Sequence, residues 1–238
     1  KIHTRNFAFR YTSKKGKNAF VHCFRRIAGR YLQLNFSNVT GEILLHYAGV
    51  RKAIYPVTLK KAPVLQDELH KKIYQSCVET LRLCMHEHYE DTPWREQCLY
   101  GLDSRNQALF GYYAMGDKGY YQFAKASFDL LGSTIGEDGF VKMTAPSDIE
   151  LIIPSFGIMW IVEACEYVFF SKDLKTGKRY FLMAENAIDK IMRTMENGIV
   201  LIPMEEKYWN FYDWSEGLDG IQDNRIVNLE DYQYCCVY

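Results

Sequence analysis

What the sequence lacks narrows its function first. Twenty-nine Lys and Arg face twenty-nine Asp and Glu in 238 residues, leaving no net charge. No whole-molecule field therefore draws the chain to nucleic acid or to an anionic membrane, and a neutral partner suits that balance. The seven cysteines form no CxxC pair and no zinc-finger spacing, which reads as reduced, buried thiols of a cytoplasmic protein. There is no Gly-rich phosphate loop, no G-x-S-x-G elbow and no EF-hand loop. The run His86-Glu87-His88-Tyr89-Glu90 is not H-E-x-x-H, because position 90 is glutamate, so neither a metal nor a cofactor is expected. A signal peptide is also missing, since charges break residues 1–30 throughout. The chain opens on Lys1 rather than Met and stops at Tyr238, as an excised piece would. The most apolar segment, 154–170, opens on Pro154 and contains Glu163 and Glu166, which argues against a membrane span. Oligomeric state is left open.

What is present is a globular composition, 48% hydrophobic and 15% aromatic, enough to bury a substantial core. Residues 1–62 read as β structure, the C-terminal part of a β-sandwich domain. Residues 30–36 alternate apolar and polar, 37–41 supply a turn, and 42–47 resume a strand. Between Pro56 and Pro63 the apolar period changes from two to 3.6. Leu69, Ile73, Cys77, Leu81 and Cys84 predict a helix over 67–86 with Asp67 at its N-terminal end. Further helices are expected at 103–115, 119–131 and 154–170, and a fifth runs from about Tyr180 to Met195, closed near Gly198. The long connection 132–153 has the length of a functional loop. Residues 63–238 thus read as a mainly α domain, the N-terminal part of an (α/α)6 six-hairpin toroid preceded by β-sandwich strands.

Two stretches are dense in acids and aromatics. Residues 91–105 hold Asp91, Trp94, Arg95, Glu96, Cys98, Asp103 and Arg105; residues 205–217 hold Trp209, Asp213, Trp214 and Glu216 among others. Cleaving a glycosidic bond needs one carboxyl group to protonate the leaving oxygen and another to activate water or attack the sugar. Glu96 is placed for the first role. The structural alternatives are ordinary: Asp-x-Pro opens turns, Asp103 suits a helix N-cap, and Glu96 suits the first turn of a helix. Cys98 with His86 or His88 offers a nucleophile, though a cysteine beside Leu99 fits packing equally well.

Asp91-x-Pro93-x-Arg95-Glu96, followed by Gly101 and Asp103, resembles the signature of the family 78 glycoside hydrolases, the bacterial α-L-rhamnosidases. Their usual form reads D-C-P-Q-R-[ED]-R-x-G-W-T-G-D, with the same separation between first and last aspartates. The later Asp213-Trp214 is similar to the family's G-D-W segment. Thr92, Trp94 and Leu99-Tyr100-Gly101-Leu102 depart from the pattern, so the walls of the sugar pocket differ. The resemblance implies an (α/α)6 barrel after β domains and hydrolysis with inversion. It implies Glu96 as the general acid, with Asp91, Arg95 and Asp103 holding sugar hydroxyls. Trp209, Asp213 and Trp214 then line the same pocket against a carbohydrate substrate. The family's general base lies late in the barrel and is expected beyond Tyr238, with Glu216 as the fallback. The alternatives are another six-hairpin enzyme, such as an unsaturated uronyl hydrolase, and a noncatalytic carbohydrate-binding relative.

Overall fold

The computed structural model describes residues 8–24, 26–201, 205–222, 225–226 and 234–235. Five helices make up its body: α1 (Glu68–Leu83), α2 (Gly101–Ala114), α3 (Lys118–Gly132), α4 (Pro154–Ser171) and α5 (Leu174–Met192). Three of them start where a carboxylate meets otherwise unpaired amides. Asp67 accepts from His70 N, Asp117 from Tyr120 N and Asp173 from Thr176 N. Helix α4 instead places Pro154 in its first turn, where a missing N–H costs nothing, and stops at Lys172 with φ 60°.

Helix α2 does not segregate polar from apolar residues onto opposite faces, and small residues line its packing. Gly101, Ser104, Ala108 and Gly111 recur at helical spacing and are all buried, so α4 can approach closely although it is not the next helix in sequence. The α2–α4 contact is the most extensive between helices; α3 and α5 also pack on α4, and α1 on α2. This alternation of layers is how successive helical hairpins build a toroid. Large aromatics fill the space that the small residues leave. A Cβ at Gly111 would lie 1.7 Å from the Tyr120 hydroxyl oxygen, and one at Gly132 2.8 Å from the Trp160 ring. Three of the buried rings also satisfy their polar atoms, whereas the Tyr112 hydroxyl is buried without a hydrogen-bond partner among the described residues. Tyr89 donates to the Tyr120 oxygen (2.7 Å), Tyr120 lies 2.9 Å from the Ala108 carbonyl, and the Trp160 indole donates to the Phe128 carbonyl (2.9 Å).

Several expectations need correction. Asp103 is not the cap of α2: the helix begins two residues earlier, with Tyr100 in the cap position and no side-chain cap bond. The fifth helix ends at Met192, before the β-hairpin β1 (Met195–Glu196) and β2 (Ile199–Val200). Asn197 and Gly198 both have positive φ, as a two-residue hairpin turn requires. Strand β5 (Tyr234–Cys235) pairs with β2, while β3 (Ile221–Gln222) and β4 (Arg225–Ile226) form a separate pair. The strands expected at 30–36 and 42–47 are extended chain without ladder partners among the described residues. Alternation alone cannot make a strand, because its amides and carbonyls need a neighbour alongside. Residues 1–7 of that segment lie outside the described residues. Most of its apolar side chains face solvent, Tyr31 93% and Phe24 96% exposed, while Tyr55 and Val57 near its end pack on the helical core. The stripe of α1 is likewise uncovered in its first half, with Leu69 and Ile73 exposed and Leu81 and Cys84 buried. The thiols follow suit: Cys23, Cys77 and Cys165 are exposed rather than buried, and Cys236 is outside the described residues.

Candidate active site

The chain from α1 to α2 is a compact turn rather than a helix. Glu96 therefore does not occupy the first turn of a helix; it sits in a turn closed by Gln97 at φ 56°, backbone that a side-chain-bearing residue seldom adopts. Asp91 organises this turn. Its Oδ1 accepts from Cys98 N (3.0 Å) and its Oδ2 from the Thr92 hydroxyl (3.1 Å), while its own amide donates to the Cys98 carbonyl (3.0 Å). Cys98 is thus a backbone partner of Asp91. Glu96 Oε1 pairs with the Arg95 guanidinium, and Oε2 accepts from the Tyr100 hydroxyl at 3.1 Å.

Asp103 enters the same cluster from the first turn of α2. Burial, then the negative charge of Asp91 and, less, that of Glu96, push its carboxyl pKa up to about 6, against a downward pull from its own backbone N–H. Beneath it, burial and the charges of Asp91 and Asp103 push the buried Cys84 thiol up to about 11, so it stays neutral. Tyr100 shifts upward too, through burial and the facing Glu96, and stays a donor.

Aromatic contacts connect this cluster to the second stretch. Tyr100 stands edge-on to Phe156 (6.4 Å between centroids), Phe156 edge-on to Phe211 (6.0 Å), and Phe211 packs on Trp209 (5.0 Å) and Trp214 (4.9 Å). The 132–153 connection ties both sides. Thr144 bridges Tyr100, Ile152 bridges Tyr208, and Trp209 N donates to the Ile152 carbonyl at 2.8 Å. Within the second stretch Tyr208 donates to Asp138 Oδ2 (2.7 Å) in the 132–153 connection, but the side chains expected to meet the sugar serve their own loop. Asp213 accepts from Trp214 N (2.7 Å) and from the Ser215 hydroxyl (3.0 Å), and the Trp209 indole donates to the Asp219 carbonyl (2.7 Å). Trp214 is 71% exposed, and Asp213 and Glu216 are exposed as well.

The fold has solved counterparts. The chain is similar to a GH78-family rhamnosidase of Bacillus sp. GL1, with TM-score 0.60 and 24% identity over 68% of this chain and 16% of that one. It is similar also to a rhamnosidase from Klebsiella oxytoca with rhamnose bound, with TM-score 0.55 and 22% identity over 67% of this chain and 31% of that one. The chain thus spans well under half the length of either. No protein-family model matches the chain, and no curated protein matches it significantly. The fold is part of an α-helical toroid. Among the described residues no helix is long and apolar enough to cross a membrane.

Sequence reasoning missed Tyr100, although a hydroxyl-bearing ring four residues after Glu96 was a readable signal. It also missed Glu163, whose signal was an acid on a helix apolar nearly all round. Glu163 is 1% exposed, contacts the Ser104 hydroxyl, and has its other oxygen buried without a hydrogen-bond partner among the described residues. Burial drives its pKa well above the usual carboxylate range, which makes it a neutral acid under the start of α2. The histidines turn to separate partners: His86 Nδ1 meets Glu90 Oε2 (3.0 Å) and His88 Nδ1 the Tyr89 carbonyl (2.7 Å).

Proposed function

We propose that this chain carries the proton-donating and sugar-gripping half of a glycoside hydrolase site related to family 78, removing a terminal α-L-rhamnose or similar sugar with inversion. The observation that carries this reading is the gathering of Asp91, Glu96 and Asp103, with Arg95, where a turn enters a helix of a toroid whose solved counterparts are rhamnosidases. Glu96 is the proton donor to the leaving oxygen; Asp91, Arg95 and Asp103 hold hydroxyls; Trp209, Asp213 and Trp214 extend the sugar surface. Inversion requires a second carboxylate roughly 6.5–9.5 Å from the first; it is Glu216 or a residue beyond Tyr238. Residues 1–62 then belong to a preceding β domain, consistent with their exposed apolar side chains. Three exposed thiols suit a reducing compartment such as the cytoplasm.

The test is hydrolysis of a panel of nitrophenyl glycosides, α-L-rhamnoside first, by the full-length protein. The expected result is release of nitrophenol, reduced by about 100-fold or more in Glu96→Gln. No turnover on any member, or full activity in Glu96→Gln, sinks the proposal. One observation favours a noncatalytic, sugar-binding role instead: both Glu96 oxygens are engaged, by Arg95 and by Tyr100. Binding of rhamnose without turnover would decide for it.

A further inference from the structure

The N-terminal stretch meets the helical body at a buried carboxylate. Glu90 is fully buried, and both of its side-chain oxygens are engaged, Oε1 by the Arg26 guanidinium and Oε2 by His86 Nδ1 at 3.0 Å. Arg26 also reaches Glu87 with its other terminal nitrogen. Its fork thus spans two carboxylates 61 and 64 positions further along the chain. The backbone beneath them is fixed from both sides. Glu90 N donates to the Cys84 carbonyl (2.9 Å) at the end of α1, and Gln107 Nε2 in α2 donates to the Glu90 carbonyl (2.6 Å). A carboxylate withdrawn from water is costly unless a cation and donors replace its hydration. Glu90 therefore depends on Arg26.

Around that pair the stretch is open. Phe24, Tyr31 and Leu44 face solvent, and a pocket of about 290 Å³ bordered by Arg26, Tyr55, His86 and Glu87 lies beside the guanidinium. Water can follow the guanidinium out. His86 is placed to take over from it, with its side chain 8% exposed and against Glu90. The charged and titratable groups facing the imidazole are Arg26 from the N-terminal stretch and Glu87, His88 and Glu90 from its own turn. Burial, then the Arg26 charge, hold His86 below its ordinary pKa, against upward pulls from the Ala53 backbone and Glu87. Removing Arg26 removes an opposing charge and leaves the carboxylate.

We propose that Glu87, Glu90 and His86 form a socket for the Arg26 guanidinium, which docks the N-terminal stretch on the turn leading to Asp91, and that His86 takes a proton from solvent as Arg26 leaves. The charge inside the socket is then conserved, since one guanidinium departs and one imidazolium replaces it beside Glu90. The released state holds one proton more than the docked state, so neutral to alkaline solution favours docking and acid favours release. Because Glu90 immediately precedes Asp91, docking also fixes the entry to the candidate site. This inference goes beyond the sugar-cleaving reading and stands without it.

The test is a distance measurement by pulsed electron spin resonance on the 238-residue chain, spin-labelled at the exposed Cys23 and at the exposed Cys77 of α1. The other five cysteines are replaced by serine or, at the buried Cys84, by alanine. The distance should be narrowly distributed at about pH 8, and the docked-to-released ratio should fall by up to about tenfold per pH unit toward about pH 5.5, the slope of one proton. Arg26→Gln should lower that ratio about 100-fold or more at about pH 8, because buried Glu90 loses its cation. His86→Gln keeps a donor toward Glu90 and cannot titrate, so it should stay docked at both pH values. The proposal is overturned if Arg26→Gln leaves the distribution narrow, if the unsubstituted socket gives one distribution at both pH values, or if His86→Gln retains the pH dependence. The pH series on the unsubstituted socket needs no change at Arg26 or His86, so a variant that fails to fold by circular dichroism leaves that arm decisive.

Discussion

The stretches 91–105 and 205–217 look alike as sequence, each a short run of acids and tryptophans, but the fold treats them differently. In the first, Asp103 is drawn against two other carboxylates and Glu96 is held by residues on either side of it. In the second, Asp213 ties off its own turn, and Glu216 and Trp214 stand in solvent. The first is stitched to the helical core through Gly101 and Ser104. The second leans on that core through Phe211, whose ring is buried, and leaves its charges outside. Acidic density alone therefore does not mark a site. Electrostatic coupling arises only where a rigid element brings carboxylates together and keeps water and cations from separating them.

The largest effect that would break this comparison comes from Gly101→Val. A side chain there meets the Phe156 carbonyl, with the first branch atom already 2.7 Å away, so α2 and α4 must separate at a cost of about 3 kcal/mol. Urea denaturation measures it, and a loss below about 0.5 kcal/mol would mean that α2 is not clamped where Asp103 enters.

A smaller effect concerns the acid under that clamp. Glu163 has a folded pKa raised by burial, so its contribution to stability is complete below its unfolded pKa and is lost as pH rises toward the folded one. Wild type should lose up to about 1.4 kcal/mol per pH unit from this residue alone above about pH 4.5. Glu163→Gln keeps a donor toward Ser104 and removes the titration. The variant should match wild type within about 1 kcal/mol near pH 4 and exceed it at pH 8, read as denaturation midpoints at both values. Parallel curves would show that Glu163 is ionised in the fold.

The second stretch should yield the smallest effects. Asp213→Ala removes two hydrogen bonds within an exposed loop and should cost about 1 kcal/mol or less, while Glu216→Gln should stay within about 0.5 kcal/mol of wild type by thermal midpoint. If Asp213→Ala costs as much as Gly101→Val, the second stretch is anchored as firmly as the first and the contrast fails.

Much of the helical body was legible before any coordinates. Asp67 and the stripe through Leu81 and Cys84 placed α1, Pro154 opened α4, and the long connection 132–153 stood out by length and bridges the two stretches. The misreadings share a cause. An apolar period running up to Asn197-Gly198 reads as a helix with its end there, although the pair has the backbone freedom of a hairpin turn. The stretches at 30–36 and 42–47 alternate as strands do, but a strand is completed only by another segment, and none lies beside them among the described residues. Tyr100 carries no charge, so its hydroxyl gains a role only once the turn brings it to Glu96.

By itself the sequence determined where α1, α3 and α4 start, to within a residue, and it put Asp91, Glu96 and Asp103 within reach of one another. Both follow from interactions spanning a few residues, such as cap carboxylates, i to i+4 hydrogen bonds and a proline that fits only a first turn. Only the tertiary structure decided how Glu96 is held between Arg95 and Tyr100, why position 101 must be glycine, and how Tyr100 is joined through Phe156 and Phe211 to a loop a hundred positions away. Burial and charge coupling depend on which distant segments exclude water from a group, and neither periodicity nor spacing records that.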